Sequence, residues 1–168
     1  HKVMVKWMYR LFMHLDKAYI VNGSLPTLTS AGLKLFKTEV YDAFKADLMT
    51  TMLQVINRER DGEQVDHVLL RTMTQVFETM GVTQSNTGLK NMTAALGGTP
   101  DLQVYTMDFE DFLLTNTKEY YAQKSQQWLE KDSTPEYMIK AERALLNESK
   151  RVGDYLNRCT EQKLLKVV

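Results

Sequence analysis

The sequence predicts an all-α protein, an antiparallel helical bundle, and three observations carry that reading. Apolar residues recur three and four apart through most of the chain, the spacing of one helical face. No segment sustains the apolar and polar alternation of a half-buried strand. Clusters of Gly, Pro, Ser, Thr and Asn cut the pattern into long helices joined by mostly short turns, the arrangement that favours antiparallel packing. Six main helices and the start of a seventh are expected.

The first helix runs over residues 1–21, with Met4, Trp7, Met8, Leu11, Phe12, Leu15, Ala18 and Tyr19 on one face and Asn22-Gly23 as its stop. Residues 25–30, containing Pro26, form a connector, and Thr29 or Ser30 is placed to cap a second helix whose inward stripe is Leu33, Phe36, Val40, Tyr41 and Phe44. A third carries Leu48, Met52, Val55 and Ile56 and ends in the charged turn Glu59-Arg60-Asp61-Gly62, where glycine tolerates a left-handed conformation. Asp66 caps the fourth, which turns Leu69, Leu70, Met73, Val76, Phe77 and Met80 inward and stops at Gly81.

Residues 82–103 lose periodicity and read as the longest loop. Helical spacing returns through Tyr105, Phe109, Phe112, Leu113, Tyr120, Tyr121, Trp128 and Leu129. Thr134 as cap and Pro135 in the first turn restart the chain into a helix lined by Met138, Ala141, Leu145, Val152, Tyr155 and Leu156. Apolar periodicity already present at Val3 and still present at Val168 suggests a segment of a longer protein.

Little in the chain points to chemistry. A formal net charge of zero gives no reason to expect nucleic acid or an anionic membrane as partner. No apolar run is long enough for a transmembrane helix, and Lys6 and Arg10 interrupt any signal-like stretch. One cysteine, Cys159, builds no disulfide framework within the chain and has no histidine nearby in sequence to activate it, so the expected setting is cytoplasmic or nuclear. His1, His14 and His67 lie in separate segments without metal-ligand spacing, and Gly97-Gly98 lacks the context of a phosphate loop; no metal and no cofactor are expected. Asp108, Glu110 and Asp111 read as a helix start complementing the dipole. Trp7, Phe12, Phe77, Phe109, Tyr120 and Trp128 read as core packing.

Several blocks resemble the cullin family, closest to its cullin-1 type of plants and protists. These are His1-Lys2-Val3-Met4 with His14-Leu15-Asp16 and Ser24-Leu25-Pro26; Ile56 with Glu59-Arg60-Asp61-Gly62-Glu63, similar to the family's ERxGE turn; Tyr105, Phe109, Glu110, Phe112, Leu113, Tyr120 and Tyr121; and Glu136-Tyr137-Met138, Lys140-Ala141-Glu142, Leu145, Arg151-Val152 and Tyr155-Leu156. The resemblance implies cullin repeats within an elongated helical stalk, with residues 1–46 ending the first repeat and 47–168 forming most of the second. It implies a non-catalytic scaffold of an SCF-type ubiquitin ligase, holding a Skp1-like adaptor with its F-box receptor at one end. The RING subunit would engage a carboxy-terminal region that this chain lacks. The adaptor-facing residues it suggests are Leu28, Leu35 and Lys37, on the exposed side of the helix beginning near Leu28. A different helical-repeat scaffold, such as a vesicle-tethering subunit, would share the periodicity but not the ERxGE and EYM-x-KAE blocks.

Overall fold

The computed structural model describes residues 2–15, 28–82 and 102–168, and these form an all-α bundle with no strand among them. Helix α1 is Lys2–Leu15. Helix α2 is one unbroken run made of Leu28–Phe36, a π-helical segment Lys37–Tyr41 and Asp42–Arg60. Helix α3 is His67–Val82; α4 comprises Gln103–Tyr105, a second π-helical segment Thr106–Glu110 and Asp111–Lys131; α5 is Thr134–Asp154. A 3-10 turn at Arg158–Thr160 leads into α6, Glu161–Val167. The stop expected at Asn22-Gly23, the connector at Pro26, and residues 83–101 lie outside the described residues.

The two helices expected on either side of residue 46 are therefore a single helix, and the division drawn at 46/47 falls inside it. Its inward line includes Leu33, Lys37, Tyr41, Lys45, Leu48, Met52 and Ile56. Residues four apart drift off a face in an α-helix of 3.6 residues per turn; the wider π turn, bonded i to i+5, takes up the excess and keeps 33, 37, 41 and 45 in line. The same device acts in α4, where Tyr105, Phe109, Leu113, Thr117 and Tyr121, each four apart, are all buried. Phe36, Val40 and Phe44, expected inward, consequently face out, with Phe44 62% exposed.

The core draws Tyr41, Met52 and Ile56 from α2, Leu70, Phe77 and Met80 from α3, Tyr105, Phe109 and Leu113 from α4, Val152 from the end of α5, Tyr155 and Leu156 from the turn just after it, and Leu164 from α6. At its centre the Phe77 ring stacks on Phe109 at 5.2 Å, and Tyr41 meets Phe77 edge-on at 5.9 Å. Such pairs add about 0.5–1.5 kcal/mol each beyond the area they bury. The two π segments face each other here, for the Tyr41 hydroxyl donates to Asp108 Oδ2 at 2.9 Å and Lys45 lies 3.4 Å from Oδ1.

Helix ends follow local chemistry. Asp66 Oδ1 accepts from the Val68 and Leu69 amides at 2.9 and 3.0 Å, the cap read from the sequence. After Arg60 the Gly62 amide donates to the Glu59 carbonyl and the Glu63 amide to the Arg58 carbonyl, a Schellman stop closed by Gly62 at φ 98°. A Cβ at Gly62 would meet nothing within 4 Å, so glycine is required for its backbone conformation alone. At α5 the cap is Ser133, not Thr134: its amide and hydroxyl both donate to Glu136 Oε2, at 2.9 and 2.8 Å. Thr29 and Ser30, expected ahead of this helix, sit within α2, which starts at Leu28.

Other expected core positions are exposed: Trp7, Met8, Leu11 and Phe12 on α1, Leu69 on α3, Phe112 and Leu129 on α4, and Met138 and Leu145 on α5. On α1 the apolar stripe is present but these four side chains are only partly covered, with Arg10 lying over the Trp7 ring at 5.6 Å. On α4 the four-residue line through Phe109, Leu113 and Thr117 leaves Phe112 to one side. On α5 the inward places go to Ala144, Glu148, Arg151 and Val152.

Phe77→Ala should lower stability by about 3–5 kcal/mol through the cavity it leaves, and Tyr41→Phe by about 1.5–3 kcal/mol through loss of a bond to a carboxylate. Urea denaturation monitored by circular dichroism checks both, and a Tyr41→Phe cost below the error of the midpoint would show that the facing π segments are not joined by this bond.

Candidate functional site

Two features stand out: a charge cluster sealed between helices, and the apolar outward side of α2. The Schellman stop after Arg60 fixes the last turn of α2 so that Glu59 and Arg60 point across to α4 and α5. The side chains of Arg60 and Glu148 are both about 1% exposed. Arg60 Nε and Nη2 donate to the two Glu148 oxygens at 2.9 and 3.1 Å, Nη2 also reaches Thr117 Oγ1 at 2.8 Å, and Nη1 reaches Asn57 Oδ1 at 2.9 Å. Tyr121 Oη and Arg151 Nη1 each donate to Glu148 Oε1 at 2.7 Å. The guanidinium of Arg60 lies 5.2 and 5.6 Å from the ring centres of Tyr120 and Tyr121.

A second carboxylate extends the cluster. Glu59 accepts from Tyr155 Oη at 2.6 Å and lies 3.4 Å from Arg151 Nε and 3.3 Å from His67 Nε2. Polar contacts thereby join α2, α3, α4 and α5, with ion pairs between α2 and α5. Burial acts to raise the Glu148 pKa, but the hydrogen bonds and charge of Arg60, with Tyr121 and Arg151, outweigh it and hold the carboxyl below the ordinary glutamate value. Burial pushes the Tyr121 and Tyr155 hydroxyls well up, so both remain donors at any physiological pH.

The expected dipole role of Asp108 and Glu110 is also corrected. Helix α4 begins at Gln103, and each carboxylate instead has a specific partner on another helix. Asp108 is held by Tyr41 and Lys45, while the fully buried Glu110 pairs with Lys163 at 2.6 Å. No cluster of three His, Cys, Asp or Glu among the described residues is placed to hold a metal. No described helix is long and apolar enough to cross a membrane. Burial and Glu110 raise the Cys159 thiol pKa, the opposite of what a nucleophile needs.

Of the residues suggested for an adaptor, Leu28 opens α2 but its side chain lies outside the described residues. Leu35 is 62% exposed. Lys37, expected on the exposed side, is half-buried because the π segment brings it onto the inward line. Leu35 shares the outer side of α2 with Phe36, Val40 and Phe44, which were assigned to the core for want of any sign of the π turn. The buried ions were missed as well, although Arg60 and Arg151 both stand in blocks that carried the family resemblance.

The described helices thus form an all-α bundle that buries ions in pairs and leaves apolar surface along one helix. The family model for the Cullin alpha solenoid domain matches residues 1–168, and the chain belongs to the cullin family. It is 40% identical over 168 residues to Cullin-1 of Oryza sativa subsp. japonica, covering 100% of this chain and 20% of that protein. It is 35% identical over 164 residues to Cullin-2 of Arabidopsis thaliana (98% and 20%) and 31% identical over 161 residues to Cullin-4A of Homo sapiens (94% and 18%). The chain spans about a fifth of the length of these relatives.

Arg60→Met should cost about 3–5 kcal/mol, because it leaves Glu148 buried with less compensation, while Arg60→Met combined with Glu148→Leu should cost less than the sum of the two single changes. A double-mutant cycle in urea checks this, and strict additivity would show that the pair is uncoupled. Since Glu148 has a lowered folded-state pKa, its contribution is full above the unfolded value of about 4.3 and is lost as pH falls through the folded value. Acid titration of stability should therefore show a shallower decline below about pH 4.3 in Glu148→Gln than in the parent protein.

Proposed function

We propose that this chain is a scaffold segment of a cullin-RING ubiquitin ligase of the SCF type, located in the cytoplasm and nucleus, with residues 1–46 closing one cullin repeat and 47–168 making up most of the next. The observation that carries this reading is the cullin family match along all 168 residues. Its work is geometric: a stiff helical stalk holds substrate receptor and ubiquitin-charged enzyme near each other and so raises their effective concentration. The chain contributes no reacting group.

In this reading a Skp1-like adaptor, carrying its F-box receptor, docks on the outer side of the first turns of α2. The RING subunit is engaged by a region beyond this chain. Exposed Leu35, with Phe36 beside it, supplies apolar surface of the kind that anchors protein interfaces; Leu28 and the half-buried Lys37 are the further contacts of this reading.

The test is binding of a Skp1-type adaptor to this chain extended by the preceding repeat helices, with and without Leu28→Asp and Leu35→Asp. Tight binding that drops about tenfold or more in the double variant is expected, as for loss of an interface anchor. Tight binding indifferent to both changes would keep the ligase role and discard these residues. No binding by a folded protein would favour another adaptor class or a tethering scaffold.

A further inference from the structure

The cleft between α4 and α5 belongs neither to the adaptor-facing side of α2 nor to the core. It holds about 270 Å³, and no aspartate or glutamate lines it. Tyr120, Lys124 and Trp128, four apart on α4, form one wall; Lys140, Arg143, Asn147 and Arg151 on one face of α5 form the other; Arg60 adds a fifth cation at the floor. The helices run antiparallel here, as the approach of Trp128 to Tyr137 at one end and of Tyr121 to Glu148 at the other requires.

The carboxylates that balance these cations lie outside the opening. Glu148 sits buried between Arg60 and Arg151, Asp61 holds Lys124 at 2.9 Å from one side, and Asp132 holds Lys140 at 2.6 Å from the other. Arg143 is exposed and has no ion-pair partner among the described residues. A concave surface with cations inside and anions behind focuses a positive potential into the cleft, and the aromatic wall lowers the local screening.

We propose that this cleft is a binding site for a phosphate group, taken from a phosphorylated side chain of a partner peptide or from a free phosphate compound. Lys124, Lys140 and Arg143 surround one opening, and a phosphate dianion offers three oxygens that can meet three separate cations, where a carboxylate offers two oxygens and one charge. The volume is that of about nine liquid waters, room for a phosphoryl group and its attachment and not for a nucleic-acid duplex. Lys124 and Lys140 keep their aspartates while doing this, so the anion completes the site without breaking an internal pair, and Arg143 is the residue it gains outright.

Titration calorimetry with three probes tests the site: inorganic pyrophosphate, a phosphoserine peptide, and the same peptide unphosphorylated. The expected result is binding of at least one phosphorylated probe that weakens as salt rises and falls about tenfold or more in Arg143→Glu and in Lys140→Gln, each of which removes a charge-assisted hydrogen bond. Unchanged thermal unfolding of Arg143→Glu separates this from loss of the fold, and adaptor binding is unaffected because the cleft lies off α2's outer side. A phosphopeptide that outcompetes pyrophosphate assigns the site to a protein partner; the reverse assigns it to a free phosphate compound. Binding of neither phosphorylated probe, binding equal to that of the unphosphorylated peptide, or binding indifferent to both substitutions overturns the proposal.

Discussion

The constraint on which this bundle depends is the buried carboxylate of Glu148, which must accept from every donor around it to remain ionised without water. Arg60, Tyr121 and Arg151 supply four bonds between them, and they come from three helices. Because an unpaired ion in this position is costly, α2, α4 and α5 have one arrangement that satisfies the site, and small slips along or around any helix break it. Apolar packing of Phe77, Phe109 and Leu113 supplies the driving force for burial. It tolerates adjustment, whereas the charge cluster does not.

The turn after Arg60 translates local backbone chemistry into this long-range order. Gly62 ends α2 by a Schellman motif, and the last helical turn then carries Glu59 and Arg60 to fixed places opposite residues 88 and more positions away. Pairing of the same kind recurs at Asp108 with Tyr41 and Lys45, and at Glu110 with Lys163. Each contact crosses between helices that are distant in sequence, so the packing is fixed by pairs that no single helix contains.

Helix identity was legible in the sequence because apolar spacing, the Asp66 cap and Gly62 are local signals, and local signals need no knowledge of the partner. The joining of residues 28–60 into one helix was hidden because nothing local marks the π turn at 37–41, without which the inward line cannot be followed from Leu33 through Tyr41 to Met52. The ion cluster was hidden for a different reason. Glu59-Arg60 reads as a solvated turn and Glu148 as part of a polar helical face until the partner across the bundle is known. Leu35 was legible as exposed, but its neighbours Phe36, Val40 and Phe44 became part of the same outer surface only in three dimensions, and Lys37 moved inward for the same cause.

The two π segments are each an extra residue worked into an otherwise regular helix, and they lie opposite one another, tied by Tyr41 and Asp108. The lengths of α2 and α4 are consequently not independent. Removing one residue from 37–41 rotates everything before it by about 100° relative to the core, while a matching loss from 106–110 turns the facing helix as well. In a lineage carrying this fold, single-residue insertions and deletions in these two segments should arise together or be followed quickly by compensating substitutions at Tyr41 and Asp108, so that the pair behaves as one heritable unit although the two stretches lie more than sixty residues apart.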